Sequence, residues 1–359
     1  MTILLISYGD LDYDGRLRSL LTVFEELGTV YSFTRGSVAN SEKRRVCNLS
    51  YSAFIRESIQ FANSLHDIDI LVLDNRKATI PGLYIRKILK PRFTVQDCRE
   101  LYLLREVRHF AGKLGCVFER LMAKKADIVI CANKERAEIM QREYSLRSLP
   151  LTYENLRKLE YSSEFGRREA EKKISPYLQE GEIRLVSSSG CSVSRTNDVL
   201  VRNLGRVSKK CRLYLVGNSD LADERTIRRL ISDNDLQNIT LLGQLNQDEL
   251  KYLISQSDIG IVNYGQYDTN NRLCASGKLY EFLYEGKPVV TTTNPPLKRI
   301  CDEEGIGVSD DEYFRGINKI TDEYDAFSER VVKYTHTHTI CDNDRALCES
   351  IVKRINSIQ

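Results

Sequence analysis

Short β-branched runs alternate with helical stretches along the whole chain, and this alternation constrains the fold more than any other feature. Parallel strands need a crossover between them, usually a helix, so the pattern specifies βαβ units in parallel sheets rather than a sandwich. Two such series occur. The first runs through residues 3–7, a helix over 15–27, then 70–74, 93–97 and 128–132. The second runs through 183–187, 213–217, 239–242, 259–262 and 288–291, with helical segments between. Residues 160–181 are highly charged and contain Ser175-Pro176 and Glu180-Gly181, which reads as a linker. A length of 359 residues suits two domains. The expected division is 1–180 with its linker, 181–335, and a helical tail, 336–359. The tail's stripe of Leu347, Ile351 and Ile355 needs a surface to pack on, and the first domain is the expected one.

Apolar residues make up 42% of the chain, and no window reaches the apolar length of a membrane span. The start, Met1-Thr2-Ile3-Leu4-Leu5-Ile6-Ser7-Tyr8-Gly9, lacks the charged region and cleavage site of a signal peptide. It reads as a first buried strand, and a cytoplasmic protein is expected. Ten cysteines form no Cys-x-x-Cys pair and several lie in apolar runs, the pattern of reduced core thiols. His336 and His338 have a metal-compatible spacing but no partner cluster, so no metal site is assigned.

The net charge of +3 is uneven: residues 1–150 carry 24 Lys and Arg against 18 Asp and Glu, and the remainder 29 against 32. Basic residues gather at 86–92 and again between Arg99 and Lys125, interleaved with Leu, Tyr and Phe. Two readings stand: a solvated helix face, or contact with an anionic membrane surface or a phosphate-bearing acceptor. A nucleic-acid partner is not expected.

In parallel α/β sheets ligands bind beyond the carboxyl ends of strands, so the chemistry is sought in the loops that follow them. No Gly-x-Gly-x-x-Gly is present. Ser276-Gly277-Lys278-Leu279 is not a P-loop, because Arg272 stands at the first glycine position and Leu279 replaces Ser or Thr. Dehydrogenase and NTPase readings therefore lack their phosphate signatures. The segment after the 259–262 strand nevertheless has a physical logic. A polar loop leads to Ser276 as N-cap, Gly277 admits close backbone approach, Lys278 brings a cation, and Glu281 falls one turn in. Gly286 ends the helix and Pro288 opens the next strand. Either a nucleoside diphosphate sits here, with its ribose on Glu281, or this is an ordinary capped helix facing solvent.

This run resembles the donor-site signature of GT-B glycosyltransferases, particularly glycosyltransferase family 4, where a small-Lys-Leu-Tyr/Phe-Glu-Tyr/Phe helix precedes Gly-x-Pro-Val-Val. Other landmarks of that family have counterparts in order: Asp14-Gly15-Arg16-Leu17-Arg18, Asp97-Cys98-Arg99-Glu100, and residues 126–132, 213–217, 242–250 and 256–260. The resemblance implies an α/β GT-B fold: two Rossmann-like doubly wound parallel-sheet domains facing a cleft, acceptor mainly on the first, nucleotide sugar on the second. It implies hexosyltransferase-like transfer from a UDP- or GDP-sugar to a glycan or lipid-linked acceptor, retaining and without a cofactor or metal. Cell-surface polysaccharide synthesis and a peripheral place on the inner membrane face are expected.

Glu281 matches the second Glu of the family's Glu-x7-Glu motif and is implied to bind the ribose, whereas Leu273 stands at the first. The loop from Ser188 to Arg195 resembles the diphosphate loop, with Gly190 exposing backbone and Arg195 clamping phosphate beside Lys278; Tyr264 completes the donor set. Asp97, Arg99 and Glu100 are the catalytic candidates, beside Asp10, Asp12, Asp14 and Arg16 of the first strand–helix loop. The other reading has Asp97 capping the next helix, with Glu100 at capping-box spacing. His109 reads as structural within that helix. A catalytically silent subunit that binds a partner transferase or a glycan remains the alternative. The two-domain sugar-nucleotide 2-epimerases are set aside because their acidic and His active-site set is not seen.

Overall fold

The computed structural model describes residues 1–37, 40–47, 50–65 and 67–358. The chain forms two compact units: Met1–Asn155 with Asp268–Asn270 and Ile340–Gln359, and Leu156–Tyr267 with Asn271–Thr339.

The first unit contains β1 (Thr2–Asp10), β2 (Thr29–Arg35), β3 (Arg44–Val46), β4 (Ile70–Asp74), β5 (Phe93–Cys98), β6 (Ile128–Cys131) and β7 (Leu151–Thr152). They form one sheet in the order β3-β2-β1-β4-β5-β6-β7, and every pairing is parallel. Central β4, Ile-Leu-Val-Leu-Asp, shows why the pattern was apolar. Ile70 and Val72 enter one core layer while Leu71 and Leu73 enter the other, so both sheet faces are covered. The terminal helix Ile340–Ile358 closes the first layer, its Leu347, Ile351 and Ile355 joining Leu17, Leu20 and Phe24 of the helix Gly15–Glu25.

The second unit contains β8 (Ile183–Ser187), β9 (Cys211–Val216), β10 (Ile239–Gly243), β11 (Ile259–Val262), β12 (Val289–Thr291) and β13 (Gly307–Ser309), ordered β10-β9-β8-β11-β12-β13 and all parallel. In both sheets the winding reverses beside the first strand, between β1 and β4 and between β8 and β11. This is the doubly wound plan, whose switch points receive ligands. Within β11, Gly260 admits the ring of Phe282: a Cβ there would lie 2.3 Å from the ring. The helix Gly277–Leu283 thereby packs directly on the sheet.

The expected boundary near residue 180 is corrected to Asn155/Leu156, and residues 160–181 are not a linker. Glu164–Ile174 is a helix, capped by Ser163 and buried through Ala170 and Ile174. It packs on the helix Gln247–Ser255, where Lys173 pairs with Glu249 at 2.8 Å. Its heavy charge conceals a narrow apolar stripe.

Candidate functional site

The donor-site residues named from sequence gather at the β8/β11 switch point. After β8 the chain turns through Gly190, whose φ of +62° favours glycine. A Cβ at this position would also lie 2.6 Å from the Asn218 carbonyl oxygen. The loop rests on buried polar groups. Asn197 Nδ2 donates to the Gly190 carbonyl at 2.8 Å and to Ser189 Oγ at 3.0 Å, and Asn263, at the end of β11, donates to Asn197 Oδ1 at 2.8 Å. Thr196 and Tyr313 hydroxyls lie 2.6 Å apart at the loop's far end. This network was missed from sequence, although an Asn directly after the apolar run Ile259-Gly260-Ile261-Val262 was a signal for it.

Arg195 ends a short turn, Val193–Arg195, and its guanidinium lies 4.0 Å from the centre of the Tyr264 ring, a cation–π contact that holds the side chain against β11's loop. Ser276 caps Gly277–Leu283 as expected, accepting from the Leu279 N–H at 3.3 Å. That helix has only seven residues, so its dipole is short and the side chains carry the charge. Lys278 Nζ donates to the Ser188 carbonyl at 2.5 Å, tying the post-β8 loop to the helix. The Ser188 hydroxyl is buried with no partner among the described residues.

Burial pushes the Lys278 ammonium down, to about 8, and the nearby Arg195 charge pushes the same way. Two cations thus converge where an anion would relieve both. Glu281 is buried, and Arg157 Nε pairs with it at 3.0 Å; burial raises its carboxyl. Arg157 was not anticipated, because nothing in the local spacing links residues so far apart. Leu273 is buried, leaving an apolar side chain at the first motif position.

A bound diphosphate favours charged Lys278, so binding takes up a proton above pH 8. We expect nucleoside diphosphate affinity to fall as pH rises through about 8, by at most about tenfold per pH unit. Calorimetry at pH 7 and pH 9 in buffers of different ionisation enthalpy checks this. A flat profile, or one that persists in Lys278→Met, contradicts the assignment.

In the first unit the acid candidates are locked together. Asp97 is fully buried, with its oxygens taken by Arg16 at 2.9 and 3.1 Å. Arg99 holds Asp74 at 2.5 and 2.8 Å and also pairs with Asp14. Ser7 donates to Asp74 at 2.5 Å. Burial raises the Asp74 carboxyl to about 6 against the pull of Arg99. Asp12 accepts from Ser37, and Asp10 from the Asp12 N–H. The network ties the carboxyl ends of β1, β4 and β5 to the start of the first helix, and it leaves Asp97 and Arg99 as supports rather than a base and its partner.

Glu100 is exposed and is the accessible carboxylate of the three candidates. The capping-box reading is corrected: no helix follows β5 until Phe110–Lys125. His109 is an exposed residue at that helix's start, not a core histidine within it.

Two doubly wound parallel sheets, one with a cationic switch point, define the class: this is the GT-B fold. Residues 183–323 match the family described as Glycosyl transferases group 1. HepE from Anabaena, solved in complex with UDP and glucose, is similar with a TM-score of 0.70 at 14% identity, over 98% of this chain and 100% of that one. WaaG, a glycosyltransferase involved in lipopolysaccharide biosynthesis, is similar with a TM-score of 0.66 at 14% identity, over 97% and 99%. Sucrose-phosphate synthase from Thermosynechococcus elongatus gives 0.61 at 16%, over 100% and 97%. A comparison with curated proteins gives no match by sequence.

Proposed function

We propose that the chain transfers a hexosyl group from a UDP- or GDP-sugar to a glycan or lipid-linked acceptor, with retention of configuration, in cell-surface polysaccharide assembly. The observation that carries the donor reading is the convergence of Arg195 and buried Lys278 beside the unpartnered Ser188 hydroxyl. The guanidinium is suited to bridge two phosphate oxygens and the ammonium to act as a point charge. Together they would stabilise the departing diphosphate, the work a divalent metal does in other transferases. Glu281 would accept hydrogen bonds from the ribose hydroxyls, Arg157 yielding one face of it. HepE was solved with UDP and glucose, which favours a UDP-linked donor. Among the described residues no helix is long and apolar enough to cross a membrane, and we place the protein in the cytoplasm, peripheral at the inner membrane face.

Glu281→Ala is expected to weaken UDP or GDP binding by about tenfold, the worth of a charged hydrogen bond. Unchanged calorimetric affinity for every nucleoside diphosphate would sink the donor-site assignment. Buried Leu273 favours a second reading, a silent subunit that binds donor without turnover. Hydrolysis or transfer of the bound nucleotide sugar by the isolated protein decides for the enzyme. A donor that stays intact with every glycan extract decides for the subunit.

A further inference from the structure

The helix Phe110–Lys125 has two apolar faces where a surface helix ordinarily has one. Its inner face, Cys116, Met122 and Ala123, is buried in the first unit. There Glu119 is clamped by Arg76 Nε at 3.1 Å and by the Tyr144 hydroxyl at 2.8 Å. The outer face carries Phe110, Leu114, Val117 and Leu121, at spacings of four, three and four residues that align them in one stripe. All four face solvent, Phe110 at 75% exposure and the others at 40–43%.

Basic residues border this stripe. Lys113, Arg120 and Lys124 follow one edge and Lys125 the other, all exposed, and Arg108 precedes the helix. The single acid between residues 107 and 125 is Glu119, which belongs to the buried face. The adjoining helix Thr79–Leu89 adds exposed Tyr84, Lys87 and Ile88, which share a face at helical spacing.

We propose that the outward face of Phe110–Lys125 docks on an anionic lipid surface, its apolar stripe at the acyl boundary and its lysines and arginines among the headgroups. The charge decides the occupant. A second copy of the chain would bring two basic borders together, whereas an anionic leaflet complements them along the whole helix. A narrow apolar stripe between basic flanks is also how a helix lies in the plane of a membrane interface. The proposal specifies the surface behind the peripheral location given above and does not depend on the donor chemistry.

The test is co-sedimentation of the full chain with phosphatidylcholine vesicles, with and without phosphatidylglycerol, at low and high salt. The wild type is expected to bind the anionic vesicles and to release them as salt rises. Leu114→Asn with Leu121→Asn is expected to lose binding roughly tenfold or more. Lys113→Gln or Lys124→Gln is expected to lose about fivefold each at low salt. Melting temperatures equal to the wild type show that these exposed-site variants fold.

Three results overturn the proposal: no binding to anionic vesicles, equal binding by the apolar double variant, or a dimer in ultracentrifugation that this variant abolishes. Nucleotide affinity measured on the same proteins keeps the two readings apart. Loss of docking leaves UDP binding intact, and failure to bind any nucleoside diphosphate leaves vesicle binding intact.

Discussion

Replacing Asp97 with alanine is expected to destabilise the first unit by about 3–5 kcal/mol, because it strands Arg16 inside the protein. Both partners are nearly inaccessible, Asp97 at 0% and Arg16 at 6% side-chain exposure, so water does little to replace the lost carboxylate. Arg99, which also lies 3.7 Å from Asp97, loses part of its counter-charge at the same time. Urea unfolding followed by tyrosine fluorescence and circular dichroism measures the effect, with the first unit melting ahead of the second. Asp97→Asn, which keeps the shape and removes the charge, is expected to be destabilised as well, by a smaller amount. The opposite pattern, wild-type stability with abolished sugar transfer in Asp97→Asn, would make Asp97 a catalytic group and the supporting role wrong.

The second large effect is expected at Arg195. Arg195→Ala removes the guanidinium that lies against Tyr264 at the switch point and is suited to span two phosphate oxygens. Affinity for a nucleoside diphosphate should fall about tenfold to a hundredfold, the range for a charged hydrogen bond. Affinity for the nucleoside alone should stay unchanged, since Glu281 and its surroundings remain. Lys278 should also lose part of the repulsion that helps to hold its ammonium down, so the pH above which binding weakens should move upward. Equal losses for nucleoside and diphosphate would contradict the phosphate role and point to a collapsed loop instead.

The parts of this fold legible in the sequence are those set by local physics. Strands buried on both faces are apolar at nearly every position, and β4 and β11 were bounded correctly for that reason. Ser276 was read as a cap from residue type and place alone. The strands β2, β3, β7 and β13 were missed: β2 mixes Ser and Thr into its run, while the other three are two or three residues long. The charged surface of Glu164–Ile174 hid its helix in the same way.

Of the candidate site, the run from Ser276 to Glu281 was the part legible as a unit, because it lies within one stretch of chain. Its supports were not. Arg16 and Asp97 are 81 residues apart, and Asn197 and Asn263 are 66 apart. One member of such a contact can stand out, as Asn263 does after its apolar run, but no period or spacing gives its partner. Asp97 and Glu100 met the spacing of a capping box, yet β5 runs to Cys98 and its loop stays non-helical to residue 109. Spacing is necessary for a cap, and the tertiary path of the chain decides whether a helix is there to be capped.

The helix Ile340–Ile358 also bears on how the protein is made. Its Leu347, Ile351 and Ile355 complete a core layer begun by residues near the start of the chain, and Tyr153 anchors it through Asp344 at 2.6 Å. During synthesis the first unit therefore emerges early but waits, one apolar layer open, until residues 340–358 have left the ribosome. The second unit, all of it translated by then, has its complete sheet in hand sooner. The half of the chain that is translated first is the half that finishes folding last, and its unfinished face is what a chaperone would meet.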